Sequence, residues 1–288
     1  GTGLMDPWAA GATALVPAPG TPPEALPQLL RQHRASLFAA APGVYRKLLQ
    51  AALPPLPDLR HGLCAGEKLT APLHADWQSA TNRPLHDAFG MSECSTFISS
   101  SPASPARDGT LGQPQPGRRV AVLGPDGPVP RGETGTIAIH RSDPGLMLGY
   151  LNAEGETAAR FQGDWFRTGD LGVMEPDGQI RYAGRGDDMM NAGGYRVSPI
   201  EVETALAAHP GVSQVAVAAI EIKPGVQIIA AFYTGPEELS DAALDAFASA
   251  RLARYKQPRA YVHLDSLPAG ANGKLLRRAL PALFKGST

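Results

Sequence analysis

Four stretches of this sequence combine glycine with charged or hydroxyl side chains, as loops around phosphorylated ligands do. In the first, Phe89-Gly90-Met91-Ser92-Glu93, the serine hydroxyl could bond a phosphate oxygen and the glutamate could hold a divalent cation. In the second, Trp165 to Gly172, the carboxylate of Asp170 follows a glycine and could accept both hydroxyls of a ribose. A solvated loop often has the same composition, so neither stretch decides the function by itself.

The other two stretches lie in the last third of the chain. Gly184-Arg185-Gly186-Asp187-Asp188, with the following residues to Pro199, separates two regions of different apolar pattern and could flex as a hinge. Gly270 to Lys274 presents a lysine on a glycine-containing turn, from which it could reach a phosphate as a mobile charge. This turn is not a Walker A loop, because the G-x-x-x-x-G-K-[ST] spacing is absent.

The elements that must position these stretches are of three kinds. Up to about residue 110, helical and strand patterns alternate, and a buried strand ends in a turn at Gly66, as in βα units. From about 110 to 186, short strands between Pro-Asp-Gly turns predict an antiparallel barrel or sandwich. Beyond Gly186, the pattern predicts a small α+β domain with helices over 198–208, 240–254 and 274–284 and strands over 212–220, 228–233 and 261–264.

The start of the first of these three helices carries a capping signal. Ser198 is expected to be the N-cap, Pro199 to occupy the first helical position, and Glu201 to complete a capping box. The predicted fold class is therefore α/β, then β, then α+β, with domains over 1–186 and 187–288.

Composition excludes several classes of protein. The 288 residues carry a formal net charge of −1, which gives no global attraction to nucleic acid or to an anionic membrane. Two cysteines without metal-site spacing suit free thiols in a reducing cytosol, so we expect a cytoplasmic protein. No apolar run reaches the ~20 residues of a membrane span. The chain begins without methionine, from which we expect a fragment of a longer protein.

In order and spacing, the four stretches resemble the adenylate-forming superfamily of acyl-CoA synthetases, luciferases and peptide-synthetase adenylation domains. FGMSE resembles its Y-G-x-[ST]-E motif, WFRTGDLG its G-W-x-x-T-G-D motif, GRGDDMMNAGGYRVSP its hinge and following loop, and NGKLLRR its G-K-x-x-R-R motif. AGEKL at 65–69 resembles its adenine-side loop. The chain looks most similar to the acyl- and aryl-CoA ligases, benzoate-CoA ligase among them.

The resemblance implies the later part of a large N-terminal domain, with an α/β subdomain and a distorted β-barrel, followed by a mobile C-terminal α+β domain. It implies two half-reactions: a small aryl or medium acyl carboxylate and ATP give acyl-AMP and pyrophosphate, and coenzyme A then displaces AMP. Mg²⁺ is the implied metal, and a homodimer is a possible assembly.

The resemblance also assigns roles to residues. Glu93 would hold Mg²⁺, Ser92 would bond the α-phosphate, and Lys274 would bridge carboxylate and phosphate in the first step. Asp170 and Arg185 would bind the ribose, and Asp187 would be the hinge that brings Gly193, Gly194 and Arg196 to the thiol step. Adenine would lie against Phe89, Gly90 and the loop Gly66, Glu67 and Lys68, and the acyl pocket would be formed by Phe38, Ala41, Ala65 and Gly90.

The superfamily's phosphate loop and the first half of its large domain would precede Gly1, so we expect these 288 residues to be inactive alone. Two alternatives stay open. The chain could be a peptide-synthetase type of adenylation domain that loads a carrier protein, or a non-catalytic relict that binds AMP or a partner.

The hinge hypothesis gives a first prediction. Proline fixes φ near −65° and removes an N–H, so Asp187→Pro in the full-length protein should trap one of the two domain orientations. We expect pyrophosphate release to be retained while CoA consumption falls at least tenfold, a barrier increase of ~1.4 kcal/mol. Both half-reactions are measured separately, alongside thermal unfolding. Equal loss in both with normal unfolding would place Asp187 in the chemistry, and no loss in either would move the hinge elsewhere.

Overall fold

A computed structural model describes residues 5–66, 69–192, 195–223, 226–270 and 275–284. The chain divides into two compact units, Gly1–Tyr182 and Ala183–Thr288. Each unit has its own apolar core and is described by itself. The boundary expected at 186/187 stays a prediction for the intact protein.

The first sheet of the first unit has five strands in the order β1-β2-β3-β4-β5. Strands β1 to β3 are parallel, whereas β3 pairs antiparallel with β4, and β4 with β5. Parallel neighbours need crossover connections, which the helical segments between them supply. The strands are Leu37–Ala40 (β1), His61–Ala65 (β2), Leu85–Met91 (β3), Ser95–Ser99 (β4) and Gln113–Pro114 (β5).

Helices cover one part of this sheet and form a core with it. Tyr45 and Trp77 are both fully buried, and their rings meet edge to face at 4.8 Å. Cys64 of β2 lies in the same apolar cluster, 1% exposed. The helices of this unit are Met5–Ala9 (α1), Leu26–Gln32 (α2), Pro42–Leu48 (α3), Ala71–Thr81 (α4) and Glu154–Ala159 (α5), with a 3-10 turn at Pro23–Ala25. The predicted alternation of helix and strand is confirmed.

The second sheet of the first unit contains the strands predicted between 110 and 186. It has six strands, with the order β11-β10-β8-β6-β7 and β9 paired to β10. Strand β8 runs antiparallel to both β6 and β10. Its members are Val120–Gly124 (β6), Gly127–Pro128 (β7), Thr134–His140 (β8), Phe161–Gln162 (β9), Trp165–Met174 (β10) and Ile180–Arg185 (β11), whose last three residues belong to the second unit.

The second unit has the predicted α+β composition. Antiparallel β14 and β15 form a sheet with β16, which runs parallel to β15, and α6 and α7 contribute Val202 and Ala248 to its core. The elements are Met190–Ala192 (β12), Tyr195–Val197 (β13), Pro199–Leu206 (α6), Gln214–Lys223 (β14), Val226–Thr234 (β15), Asp241–Ser249 (α7), a 3-10 turn at Arg254–Lys256 and Ala260–His263 (β16). Among the described residues, none of the helices could span a lipid bilayer.

The predicted capping box of α6 is wrong in its hydrogen bonds. Ser198 does occupy the N-cap and Pro199 the first helical position, but the serine hydroxyl makes no cap bond. It donates instead to the carbonyl oxygen of Ala183 at 2.6 Å. Glu201 accepts from the Lys256 ammonium at 2.5 Å. Contacts distant in sequence therefore replace the local pairing that the sequence signal predicted.

The last helix, predicted over 274–284, is also wrong. The structure has a 3-10 helix over Arg277–Leu283, and Lys274 lies outside the described residues. Pro281 lies inside this helix. Because proline has no N–H and its ring clashes with the preceding turn, an α-helix cannot continue through it. Similarly, α7 ends at Ser249, five residues before the predicted end at 254.

A histidine in β3 was not singled out by the sequence. His86 is 6% exposed, its Nδ1 lies 3.4 Å from the Ser100 hydroxyl, and its Nε2 has no hydrogen-bond partner in the described structure. The ring meets that of His61 edge to face at 5.3 Å. Burial lowers the pKa of His86, and the neighbouring charges of His61 and His74 lower it further.

This site predicts acid sensitivity of the first unit. The pKa of His86 is lower in the folded state than the ~6.5 of a histidine in an unfolded chain. As the pH falls below ~6.5, the unfolded state therefore binds a proton first, and the folded state loses stability. His86→Leu should therefore show a smaller drop in melting temperature between pH 7 and pH 5. The exposed His33→Gln is the control and should behave as the unmodified protein. An unchanged pH dependence in His86→Leu would assign the acid sensitivity to other groups, His61 among them.

Candidate functional site

The turn between β3 and β4 presents Ser92 and Glu93. Ser92 is exposed and Glu93 half-buried. A Cβ built on Gly90 would lie 2.1 Å from the carbonyl oxygen of Ser95, which only a glycine avoids. That the backbone at Gly90 approaches a ligand stays a prediction; in the structure the close neighbour of Gly90 is the adjacent strand. Burial raises the pKa of the Cys94 thiol in this turn to about 12, so it stays protonated.

Two hydrogen bonds connect Glu93 to the loop that follows β8. The Met147 N–H donates to the Glu93 carbonyl oxygen at 2.6 Å, and the Tyr150 hydroxyl donates to Oε1 at 2.8 Å. Burial, followed by the bond to Glu93, raises the pKa of Tyr150, which keeps the phenol a donor. The bond from Met147 therefore fixes the backbone of Glu93, and the bond from Tyr150 orients its carboxylate.

A single oriented carboxylate fits Mg²⁺, which binds through one or two carboxylates and takes its other oxygens from phosphates and water. The described residues contain no group of three or more His, Cys, Asp or Glu side chains arranged as a metal site. The described residues therefore do not form a metal site made of protein ligands alone.

Asp170 lies at an irregularity in β10. The pairing with β8 shifts register between Arg167 and Leu171, and Gly169 has a φ of +84°, a conformation that favours glycine. The Asp170 N–H donates to the Thr168 hydroxyl at 3.1 Å, and that hydroxyl donates to the Ile137 carbonyl oxygen. Asp170 is buried, 7% exposed as a whole residue, so its carboxylate is held in a low-dielectric setting.

Tyr182 connects Asp170 to Phe89. The Tyr182 hydroxyl donates to Asp170 Oδ1 at 3.1 Å, and its ring lies 5.4 Å from that of Phe89. Phe89 also packs edge to face on Phe97 at 5.5 Å. Tyr182, which sequence reasoning missed, thus connects Asp170, the residue predicted to bind ribose, with Phe89, the residue predicted to lie against adenine.

The remaining residues predicted in the first unit follow the carboxyl ends of parallel strands. Ala41 follows β1, Ala65 ends β2 and Gly66 follows it with a φ of +95°, so these positions share one edge of the sheet with Gly90. Phe38 instead packs its ring against Tyr45 at 5.2 Å. Glu67 and Lys68 lie outside the described residues.

The predicted residues of the second unit are only partly described. Arg185 pairs with Asp187 at 3.1 Å, and the Arg196 guanidinium donates to the Gly186 carbonyl oxygen at 2.8 Å. The segment at the predicted hinge is therefore held by contacts within its own unit. Gly193, Gly194 and Lys274 lie outside the described residues.

Sequence reasoning did not find Tyr150 and Tyr182. Tyr182 had a usable signal, since it lies three residues before Arg185 in a strand that must neighbour β10. Tyr150 had none, because it reaches Glu93 from 57 residues away in sequence through a loop.

Comparison with known families accounts for most of the chain. The family described as AMP-binding enzyme matches residues 1–151, which is more than half of the 288. The family described as AMP-binding enzyme C-terminal domain matches residues 201–274.

Individual relatives point the same way. Benzoate–CoA ligase of Thauera aromatica is 37% identical over 96% of this chain and 54% of its own length. 3-Hydroxybenzoate–CoA ligase of Aromatoleum sp. (strain CIB) is 32% identical over 99% of this chain and 56% of its own. A crystal structure of a benzoate CoA ligase from Burkholderia xenovorans LB400 superposes with a TM-score of 0.84 at 32% identity, over 96% of this chain and 57% of that one. The chain spans about half the length of these two curated relatives.

The contact at Gly90 predicts a loss of stability on substitution. In Gly90→Ala the new methyl would meet the backbone of Ser95 and Thr96, so β3 and β4 must separate. We expect the free energy of unfolding to fall by about 1–3 kcal/mol, as for other overpacked sites, measured by urea denaturation. Gly155→Ala in α5 is the control, because a Cβ there meets nothing within 4 Å. Equal stability of the two variants would contradict the prediction.

Proposed function

This chain belongs to the family of AMP-binding enzymes. On that premise we propose that it forms part of an ATP-dependent acid–CoA ligase. In the first half-reaction, a carboxylate oxygen attacks the α-phosphorus of ATP, and pyrophosphate leaves. In the second, the sulfur of coenzyme A attacks the acyl carbon, the thiol proton passes to solvent, and AMP leaves. The products are an acyl-CoA thioester, AMP and pyrophosphate.

The first half-reaction brings two anions together, so positioning and charge neutralisation supply most of the acceleration. Glu93 is the proposed Mg²⁺ ligand, and the bond from Tyr150 supports this role because it fixes the carboxylate before the metal arrives. Bound Mg²⁺ would neutralise phosphate charge. Ser92 is exposed on the same turn and can donate to an α-phosphate oxygen.

The observation that carries the proposal is the connection from Asp170 through Tyr182 to Phe89. A carboxylate offers about four acceptor sites, so the bond from Tyr182 is compatible with further donors from a ribose. Phe89 offers an aromatic ring on the other side of Tyr182, as adenine stacking requires. In the proposal Arg185 completes the ribose site, and the loop Gly66, Glu67 and Lys68 flanks the base.

Lys274 is the proposed catalytic cation of the first step, where it bridges the attacking carboxylate and the α-phosphate. Its contribution ends when acyl-AMP has formed, because the second step brings in a thiol and expels AMP. Rotation at Asp187 would then replace Lys274 by the loop with Gly193, Gly194 and Arg196. This exchange gives a reason for the lysine to belong to the smaller unit.

The proposed acid is an aryl or medium acyl carboxylate. Ala41 and Ala65 carry small side chains and Gly90 has none, at the edge where β1, β2 and β3 end, which leaves room for an aromatic ring. The benzoate and 3-hydroxybenzoate ligases among the relatives support the aryl choice.

The proposal predicts that the half-reactions can be separated at Lys274. The full-length protein, with Mg²⁺ and a panel of aryl and medium-chain acids, should release pyrophosphate and form CoA thioesters. Lys274→Ala should slow adenylation by roughly 10²–10³, as loss of one transition-state charge contact does. Thioester formation from supplied acyl-AMP should be nearly unchanged.

The matched control is Lys223→Ala, which removes an exposed lysine at the end of β14. It should leave both rates unchanged. Failure of every acid to give pyrophosphate in the unmodified full-length protein would refute the ligase proposal. Equal loss of both half-reactions in Lys274→Ala would instead make the lysine structural.

A further inference from the structure

One guanidinium is bonded to the backbone directly after Glu93. Arg118 lies two residues before β6, and its side chain is 11% exposed. Its Nη2 donates to the Cys94 carbonyl oxygen and its Nη1 to the Thr96 carbonyl oxygen, both at 2.6 Å. Cys94 follows Glu93 in the turn, and Thr96 lies near the start of β4. Arg118 therefore fixes the chain where it leaves the turn.

Asp143 is the anionic partner of this guanidinium. Arg118 Nε lies 2.9 Å from Oδ1 and 3.2 Å from Oδ2, and the Asp143 side chain is fully buried. The carboxylate also accepts from the N–H groups of Arg119 at 2.7 Å and Gly145 at 2.9 Å. Burial acts to raise the pKa of Asp143, but these N–H groups and Arg118 outweigh it and hold the pKa below its ordinary value. The carboxylate is therefore charged at neutral pH.

The pair connects the turn to the loop that follows β8. Asp143 lies in this loop, three residues after His140, the last residue of β8. The same loop carries Met147 and Tyr150, whose N–H and hydroxyl group donate to Glu93. The turn and the loop are therefore joined twice, once through the bonds at Glu93 itself and once through the buried ion pair. Breaking a buried ion pair leaves an unpaired charge, which disturbs the structure around it.

We propose that Arg118 and Asp143 form a positioning pair for Glu93. They hold the turn against the loop, so that the bond from Tyr150 keeps the Glu93 carboxylate in one orientation. The inference rests on the proposed function, in which Glu93 is the ligand of the Mg²⁺ that accompanies ATP. Mg²⁺ tolerates little departure from octahedral geometry, so a carboxylate that turned freely would bind it less well. Neither Arg118 nor Asp143 needs to touch the metal or the nucleotide.

The test compares ATP binding with and without Mg²⁺ in the full-length protein, by isothermal titration calorimetry with no carboxylic acid present. Arg118→Lys keeps the charge but loses the paired bonds to Cys94 and Thr96. We expect its affinity for ATP with Mg²⁺ to fall about tenfold or more, as for other residues that orient a metal ligand. Its affinity for ATP in EDTA should stay within about twofold of normal, whereas a general loss of structure would lower both affinities.

Gly145→Ala is a second variant that removes no polar group. A Cβ built on Gly145 would lie 2.6 Å from Nη2 of Arg118, so the new methyl displaces the guanidinium, and we expect the same pattern of affinities. The control is Arg107→Lys, which alters an exposed pair with Asp177 in the same unit. It should change neither affinity.

A Glu93→Gln background completes the test. There, Arg118→Lys should cost no more than about twofold further in affinity for ATP with Mg²⁺, because residues that act through one another are not additive. Equal losses with and without Mg²⁺, additive losses in this background, or normal binding by both Arg118→Lys and Gly145→Ala would overturn the positioning role. Unfolding of both variants in circular dichroism would make the pair structural and overturn it too. If the unmodified protein binds no ATP, the proposed function itself fails.

Discussion

The close approach of two backbone segments at Gly90 is the constraint on which the candidate site of the first unit depends. A side chain at this position would collide with Ser95 and Thr96, so β3 and β4 can pair tightly only because residue 90 lacks one. Their pairing fixes the intervening turn, and the turn sets where Ser92 and Glu93 lie. The bond from Tyr150 then selects one orientation of the Glu93 carboxylate.

The proposed nucleoside side of the site depends on a similar constraint with different chemistry. The register shift in β10 and the positive φ of Gly169 turn Asp170 out of the regular pairing. Burying a carboxylate is unfavourable unless donors surround it, and Tyr182 supplies one such donor. The same tyrosine packs on Phe89, so the polar and aromatic parts of the site cannot shift independently.

Sequence reasoning found these elements where local pattern determines structure. The pattern that predicted β2 and the turn at Gly66 depends on only a few residues. The same holds for the glycine directly before Asp170. Sequence reasoning was wrong where distant contacts prevail. The Ser198 hydroxyl bonds Ala183 rather than its own helix. The sequence also predicted an α-helix around Pro281, where a local constraint from the proline leaves a 3-10 helix instead. Tyr150 could not be found, because its partner Glu93 is fixed only by the tertiary fold.

Both cysteines of the chain lie in the first unit, in different places. Cys64 belongs to the core beneath α3 and α4, and Cys94 is fully buried in the turn that presents Glu93. A thiol reagent can modify neither without an opening of the surrounding structure, and the second unit offers it no cysteine at all. The rate of thiol modification in the native protein therefore measures local opening of the structure. Cys94 reports on the turn that presents Glu93, and Cys64 reports on the helix-covered sheet.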